Sequence, residues 1–335
     1  MEYNGRYDLF DLSKIKLYDL ATRRSKVLGE TLTSPEQLQQ REIEYTSPEL
    51  EALTEAVYQA RQNGQPVIWV TGAHLIKNGF GLILADLVRR KILTLVGMNA
   101  AGIIHDLELA LIGATSEDVP HALPRGEFGF ARETGTLLNN AFTAGEEKKI
   151  GGGEAVGRLI NGEAMPNEID FPHRHLSLSA AGWQEGVPIT LHASLGTDII
   201  DQYPNFDPAA KGGCSGRDFL LLTREVQRMG ETGGGVFLNV GTSVMGPEVF
   251  LKACSMAANV GNPPNNLVSA SFDIRPAEIA DADDERKAGY YFRDIKSVVV
   301  RIPSAFGGKG YYVQGDHLVT LPAFYQHLVR RFESP

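Results

Sequence analysis

Short, nearly continuous apolar runs recur along this chain, each closing on a turn and followed by apolar positions at helical spacing. Residues 66–70 (Pro-Val-Ile-Trp-Val) predict a strand. Phe80, Ile83, Leu84, Leu87 and Val88 then share one helix face, which ends in the cations Arg89-Arg-Lys91. A second strand is predicted over residues 92–96 and a third over 187–192. A helix over 217–229 carries Phe219, Leu222, Val226 and Met229. The strand 236–240 precedes a helix with Phe250, Ala253, Cys254 and Ala257 inward, and strands over 267–272 and 298–302 complete the series. Pro322, at a helix start, introduces a terminal stripe of Phe324, Leu328 and Phe332. Runs that are apolar on both faces, alternating with amphipathic helices, predict an α/β fold, a Rossmann-like parallel sheet with helices on both faces.

The flanks are different in texture. Residues 1–46 are polar and read as an arm that packs on the body or on a neighbouring subunit, leaving residues 47–335 as one α/β domain. Ser47, Pro48 and Glu49 supply a cap, a first-turn proline and a first-turn acid for the helix that opens this domain. The stretch 125–172 is rich in glycine and charge and reads as the least regular part of the body. Within it, Gly151 to Gly157 has the composition of a phosphate loop but no strand leading in, so a flexible turn before a helix is expected.

Composition narrows the function. A net charge of -9 over 335 residues, with only short basic groups, argues against a nucleic-acid partner and suits a small cationic substrate. No apolar run is long enough to span a bilayer and the N-terminus lacks signal-peptide character, so a soluble cytoplasmic protein is expected. Cys214 and Cys254, with no paired spacing, are expected as buried thiols.

Candidate chemistry gathers where predicted strands end. Thr71, Gly72 and His74 follow the first strand. Asn239, Gly241, Thr242 and Ser243 follow the strand 236–240, where hydroxyl and amide donors at a helix N-terminus suit a pyrophosphate or ribose, or else simply cap a turn. His105 either orients ribose or substrate or is hydrogen-bonded to structure, and Asp106 is either a cofactor contact or a helix cap. His173, His175 and His192 are either a zinc or iron site, which would make a metal-dependent hydrolase, or ordinary polar histidines.

Five segments in order carry a family likeness: Gly72-Ala-His-Leu-Ile-Lys-Asn-Gly79, Asn99-Ala-Ala-Gly-Ile-Ile-His-Asp106, Ser194-Leu-Gly-Thr-Asp198, Gly233-Gly-Gly-Val236 and Asp316-His-Leu-Val-Thr-Leu-Pro322. Over roughly residues 50–330 the chain resembles deoxyhypusine synthase and its bacterial paralogues, as a divergent member. The resemblance implies a homotetramer that binds NAD and a polyamine near subunit interfaces. The implied chemistry is hydride removal from an amine, capture of the imine by a lysine, and transfer of the aminoalkyl group to an acceptor. It also implies cofactor contacts from Asn99, Asp106, Asp273 and Asp316, with Asp198, Asp201 and Tyr203 around the substrate. Two positions depart from the family. Tyr312 stands where the family has its lysine, four residues before Asp316, and Lys309 lies three residues further upstream, as either the covalent amine or a solvated turn residue. Gln202 and Tyr203 stand where the family carries a polyamine-binding histidine. The expected function is NAD-dependent amine oxidation on a polyamine or basic amino acid derivative, with transfer or release of the imine-derived group. A nucleotide-binding protein without catalysis is the alternative.

Overall fold

The computed structural model describes residues 3–163 and 169–333. Two strands lie outside the main sheet: β1 (Ser25–Leu28), from the arm, pairs antiparallel with β4 (Ala114–Glu117). The main sheet is wholly parallel and comprises β2 (Val67–Thr71), β3 (Leu95–Asn99), β5 (Ile189–His192), β6 (Val236–Val240), β7 (Val268–Asp273) and β8 (Lys309–Gln314). Its spatial order is β5-β3-β2-β6-β7-β8. The chain therefore starts at the centre, winds outward through β3 and β5, and returns to the other side of β2 for β6, β7 and β8. This is the doubly wound order, and the direction of winding reverses between β2 and β6.

Alternation along β2 divides the core. Val67 and Trp69 face one cluster, with the helices Pro48–Gln62, Phe80–Arg89, Ala100–Ile112 and His317–Glu333. Ile68 and Val70 face the other, with Pro208–Thr232 and Met245–Asn259. Every residue of β2 and β6 is buried, so the continuous apolar runs of the sequence are strands covered on both faces. Trp69 stacks against Phe272 and Phe324, and Phe237 lies 3.6 Å from Phe250, centroid to centroid. Ser47 caps its helix as expected, accepting from the Leu50 N–H at 3.1 Å. Cys214 and Cys254 are free and buried.

Four sequence expectations need correction. Residues 298–302 are not a strand: they belong to the helical segment Asp294–Arg301, a π-helix, and its continuation Ile302–Ala305. The valine run has strand propensity, but Ile295, Val298, Val299 and Ile302 are all buried at helical spacing, and packing overrides propensity. The sixth strand is instead β8, over a glycine-rich stretch that reads as a turn. Glycine is needed there because a side chain at Gly310 would collide with the Val299 carbonyl.

The stretch 125–172 is likewise more regular than expected where it is described; residues 164–168 lie outside the described residues. It holds the helices Arg132–Glu147 and Gly152–Ile160, and a side chain at Gly153 would collide with the Ile189 carbonyl. Its glycines serve close packing rather than flexibility. Pro322, finally, lies inside the helix His317–Glu333 rather than at its start.

The arm packs on the body. A capping box of Ser34 and Gln37 starts the helix Pro35–Gln40, and the Gln326 amide donates to the carbonyls of Leu38 and Arg41.

Candidate functional site

The carboxyl ends of the parallel strands form one rim, and a cavity of about 260 Å³ opens on it beside β2, β3 and β5. Asn99 ends β3 and caps the next helix, accepting from the Gly102 N–H at 2.9 Å. From that helix Ala101, Ile104, His105 and Glu108 form one wall, at the spacing that places them on a single face. Lys77, last residue of the helix Ala73–Lys77 after β2, forms another.

His105 is held in one tautomer by what lies behind it. Thr115 Oγ1 donates to Glu108 Oε2 at 2.6 Å, so its lone pairs must accept from His105 Nδ1, 2.7 Å away. The hydrogen therefore sits on Nδ1, and Nε2 carries the lone pair. Burial pushes the imidazole down to about 4, against the raising effect of Glu108, so the ring is neutral near pH 7.

Glu108 is itself buried, with its oxygens filled. Arg23, from the arm, pairs with both carboxylate oxygens, and Thr134 donates at 2.8 Å. Burial pushes this carboxyl up, but Arg23 and Thr115 outweigh it and hold it below the usual range. Lys77, half-buried, forms no ion pair among the described residues, and it and His317 depress His74, where burial is the larger cause.

Asp198 and Asp201, expected to receive a substrate cation, already hold one. Lys211 Nζ is wholly buried 2.7 Å from Asp198 and 2.5 Å from Asp201, and also donates to the Ser194 carbonyl at 3.2 Å. Two buried carboxylates around a buried ammonium form a structural clamp on the loop after β5. Tyr203 is also structural, wholly buried with its hydroxyl donating to the Ala131 carbonyl at 2.6 Å.

Next to the cavity lies the crevice where the winding reverses, and the two glycine turns meet there. Gly72 follows β2 and Gly241 follows β6, so close that a side chain at Gly72 would collide with the Gly241 carbonyl. Gly241 and Ser243 adopt φ of 60° and 57° and are solvent-exposed at the start of the helix Met245–Asn259. Asn239 is tied inward, donating to Ser271 Oγ at 3.0 Å, and Thr242 Oγ1 accepts from the Gly246 N–H at 3.2 Å. Asp273 ends β7, the next strand, held by Arg275 at 2.6 Å. A glycine turn, a helix N-terminus and an acid at the next strand end are the parts that hold a dinucleotide's phosphates and ribose. The glycine turn and helix start present fit a dinucleotide's phosphates, whereas the Asp273 carboxylate is already taken by Arg275. Asp316 caps the final helix at the same rim, accepting from the Leu318 N–H at 2.8 Å, and His317 Nε2 lies 3.1 Å from the Phe272 carbonyl.

Other expected residues stand apart from the rim. Asp106 is wholly buried and takes hydrogen bonds from Ser177 Oγ and the N–H groups of Leu178 and Ser179 at 2.7–3.0 Å, which makes it a clamp on the next helix. Lys309 begins β8 beside Val268, at the amino end of the sheet. Five strand residues separate it from the rim, about 17 Å. Within one chain, Lys309 therefore does not reach the rim. The rings of His173 and His175 lie 6.3 Å apart, whereas His192 sits 3.0 Å from Thr190 Oγ1 and is pushed down to about 4 by burial. Among the described residues no three His, Cys, Asp or Glu are placed to hold a metal ion.

Lys77, Glu108, Thr115, Arg23 and Lys211 were not legible as site residues. Glu108 could be found from its spacing to His105; Thr115 and Arg23 approach only through the fold.

No protein-family model matches the chain, and no curated protein matches it. Solved structures do. A conserved LOR/SDH protein from Methanococcus maripaludis S2 matches at 14% identity over 92% of this chain and 73% of its own, with a TM-score of 0.45. AgrE, in a ternary complex with ornithine and NAD+, matches at 12% over 90% of this chain, TM-score 0.47, and the chain spans only 34% of its length. A protein assigned as a deoxyhypusine synthase from Entamoeba histolytica matches at 10% over 94% of this chain and 97% of its own, TM-score 0.47. No helix among the described residues is long and apolar enough to cross a membrane.

Proposed function

We propose that this chain is an NAD-dependent enzyme that oxidises the amine of a small amino acid derivative and releases the resulting imine to water. The observation that carries the reading is the Glu108–Thr115–His105 relay, which leaves a neutral imidazole nitrogen as a proton acceptor in a cavity beside Lys77. Bound at the crevice between β2 and β6, the nicotinamide supplies a hydride acceptor. The chain's own part is to hold the substrate carboxylate on Lys77 and to take the N–H proton at His105 Nε2 as positive charge develops on the oxidised amine. The C–H electron pair leaves as hydride, the C=N bond forms, and the proton passes to His105, so charge and electrons balance.

An amino acid derivative suits this cavity better than a polyamine. Of its wall carboxylates, Glu108 and Asp198 are already paired with Arg23 and Lys211, and Glu117 accepts from the Tyr18 hydroxyl and the Gly129 N–H, while Lys77 has no acidic partner among the described residues. Release suits it better than transfer, because Lys309 lies at the far end of β8. Oligomerisation, to the tetramer that the family resemblance implies, forms part of the same reading.

Calorimetric titration with NAD tests this, alone and with L-ornithine or spermidine. Saturable NAD binding, strengthened by ornithine and not by spermidine, is the expected result. No NAD binding under any condition would overturn the proposal. Tight NAD binding without turnover of any amino acid would favour a nucleotide-binding protein that lacks catalysis.

A further inference from the structure

Lys77 and His105 account for the carboxylate and the amine of the proposed substrate, and the rest of their cavity has a different character. Ala101 and Ile104, from the helix Ala100–Ile112, are joined in its lining by Val119, Phe128 and Ile199, and most of the surface left to a ligand is apolar. Val119 opens the short helix Val119–Ala122 after β4, Phe128 lies on the loop beyond it, and Ile199 starts the turn after β5.

These apolar side chains are fastened to one another. Gly129, at a φ of 80°, brings its backbone against Ile199, where an added side chain would come within 2.8 Å of Ile199 Cβ. The Gly129 N–H donates to Glu117 Oε2 at 2.9 Å, and the Gln202 amide donates to the Phe128 carbonyl at 3.1 Å. Gln202, which stands where the family resemblance implies a polyamine-binding histidine, thus holds an apolar wall in place. A wall fixed before the ligand arrives costs little ordering when it binds.

The acids of the cavity serve the chain itself. Both oxygens of Glu108 accept from Arg23, Glu117 Oε1 accepts from the Tyr18 hydroxyl at 2.6 Å, and Asp198 Oδ2 lies 2.7 Å from the buried Lys211 ammonium. A second ammonium, on the substrate's side chain, would lose its water against apolar walls and acids that already have partners, whereas a methyl or methylene group gains by leaving water. We propose that the substrate's side chain is uncharged and aliphatic, and that Phe128, Val119 and Ile199 select it. The inference rests on the proposed reaction, with the carboxylate on Lys77 and the amine at His105, and names the class of amino acid that reaction takes.

L-Norvaline and L-ornithine share one carbon skeleton and differ by the terminal ammonium, so the pair isolates this point. In calorimetric titrations of the full chain with NAD, L-norvaline is expected to raise NAD affinity at least about tenfold more than L-ornithine, a difference of ~1.4 kcal/mol. Phe128→Glu should narrow or reverse that preference by offering the ornithine ammonium an acid, and Val119→Glu should act in the same direction. Val119 is 37% exposed, so its replacement removes no core, and it decides alone should the Phe128 variant fail to fold. NAD binding that neither amino acid strengthens would overturn the proposed reaction and this inference together. Ornithine acting as strongly as norvaline, through Asp198, would overturn this inference and leave the reaction standing. A norvaline preference unchanged by Val119→Glu would overturn the assignment of selectivity to these walls.

Discussion

Because Thr115 commits its one hydrogen to Glu108, His105 has no choice but to donate from Nδ1, and its chemistry follows from that constraint. Replacing His105 by Ala should lower kcat by about 10²–10⁴, the usual range for a lost general base, with NAD affinity retained in a calorimetric titration. The same burial gives the ring a pH signature. Its folded value of about 4 lies below the unfolded value of 6.5, so the unfolded chain binds the extra proton between these two. Stability should therefore rise with pH across that window, and fall as acid forces a proton onto the buried ring. Wild-type protein is expected to lose this contribution below pH 6.5 in denaturant titrations, whereas His105→Ala should lack it. Lys309→Ala is the contrasting case: exposed at the amino end of the sheet, it should leave turnover within twofold of wild type, and an abolished rate would return it to the mechanism.

At the scale of elements, the arm is part of the site. Arg23, its side chain 3% exposed, bridges from the arm to Glu108 on the helix Ala100–Ile112. Arg23→Met should cost about 3–5 kcal/mol in chemical denaturation, because it strands a buried carboxylate. In the variant that remains folded, Glu108 should take up a proton more readily, so the acid limb of kcat/KM should move to higher pH; a purely structural role would lower stability and leave that profile in place. Residues 1–46 read as an arm that packs on the body or on a neighbouring subunit, yet no local pattern could pair Arg23 with a residue 85 positions away. Strand–turn–helix alternation was legible because strands buried on both faces leave unbroken apolar runs, as at Val67–Thr71 and Val236–Val240. It failed where two signals competed. The β-branched run at 298–300 concealed a helix, and the glycines at 307, 308 and 310 concealed a strand, since glycine marks close backbone approach as often as a turn. Asp198 and Asp201 were legible as a cation site, but the cation, Lys211, is part of the chain itself.

For the whole molecule, the parallel order brings every strand's carboxyl end to one rim, and apolar side chains meet solvent along it. Leu195 follows β5, Val244 follows β6, Ile274 follows β7 and Leu318 follows β8, and each is 54–64% exposed. Single exposed apolar side chains need no explanation, but one after each of four strands, all on the edge that carries the proposed cofactor crevice, forms a surface that water does not favour. A second copy of the chain over this rim would bury these residues and exclude water from the reacting atoms, which strengthens every polar contact within the site. Light scattering on purified protein should therefore report a species larger than the 36.5 kDa monomer. The double change Ile274→Glu with Leu318→Glu should shift it towards the monomer while leaving the circular dichroism spectrum intact, since both side chains lie outside the core. Turnover should fall with the assembly if the rim completes the site, and a monomeric variant with full activity would show that the His105 cavity and the crevice between β2 and β6 suffice within one chain.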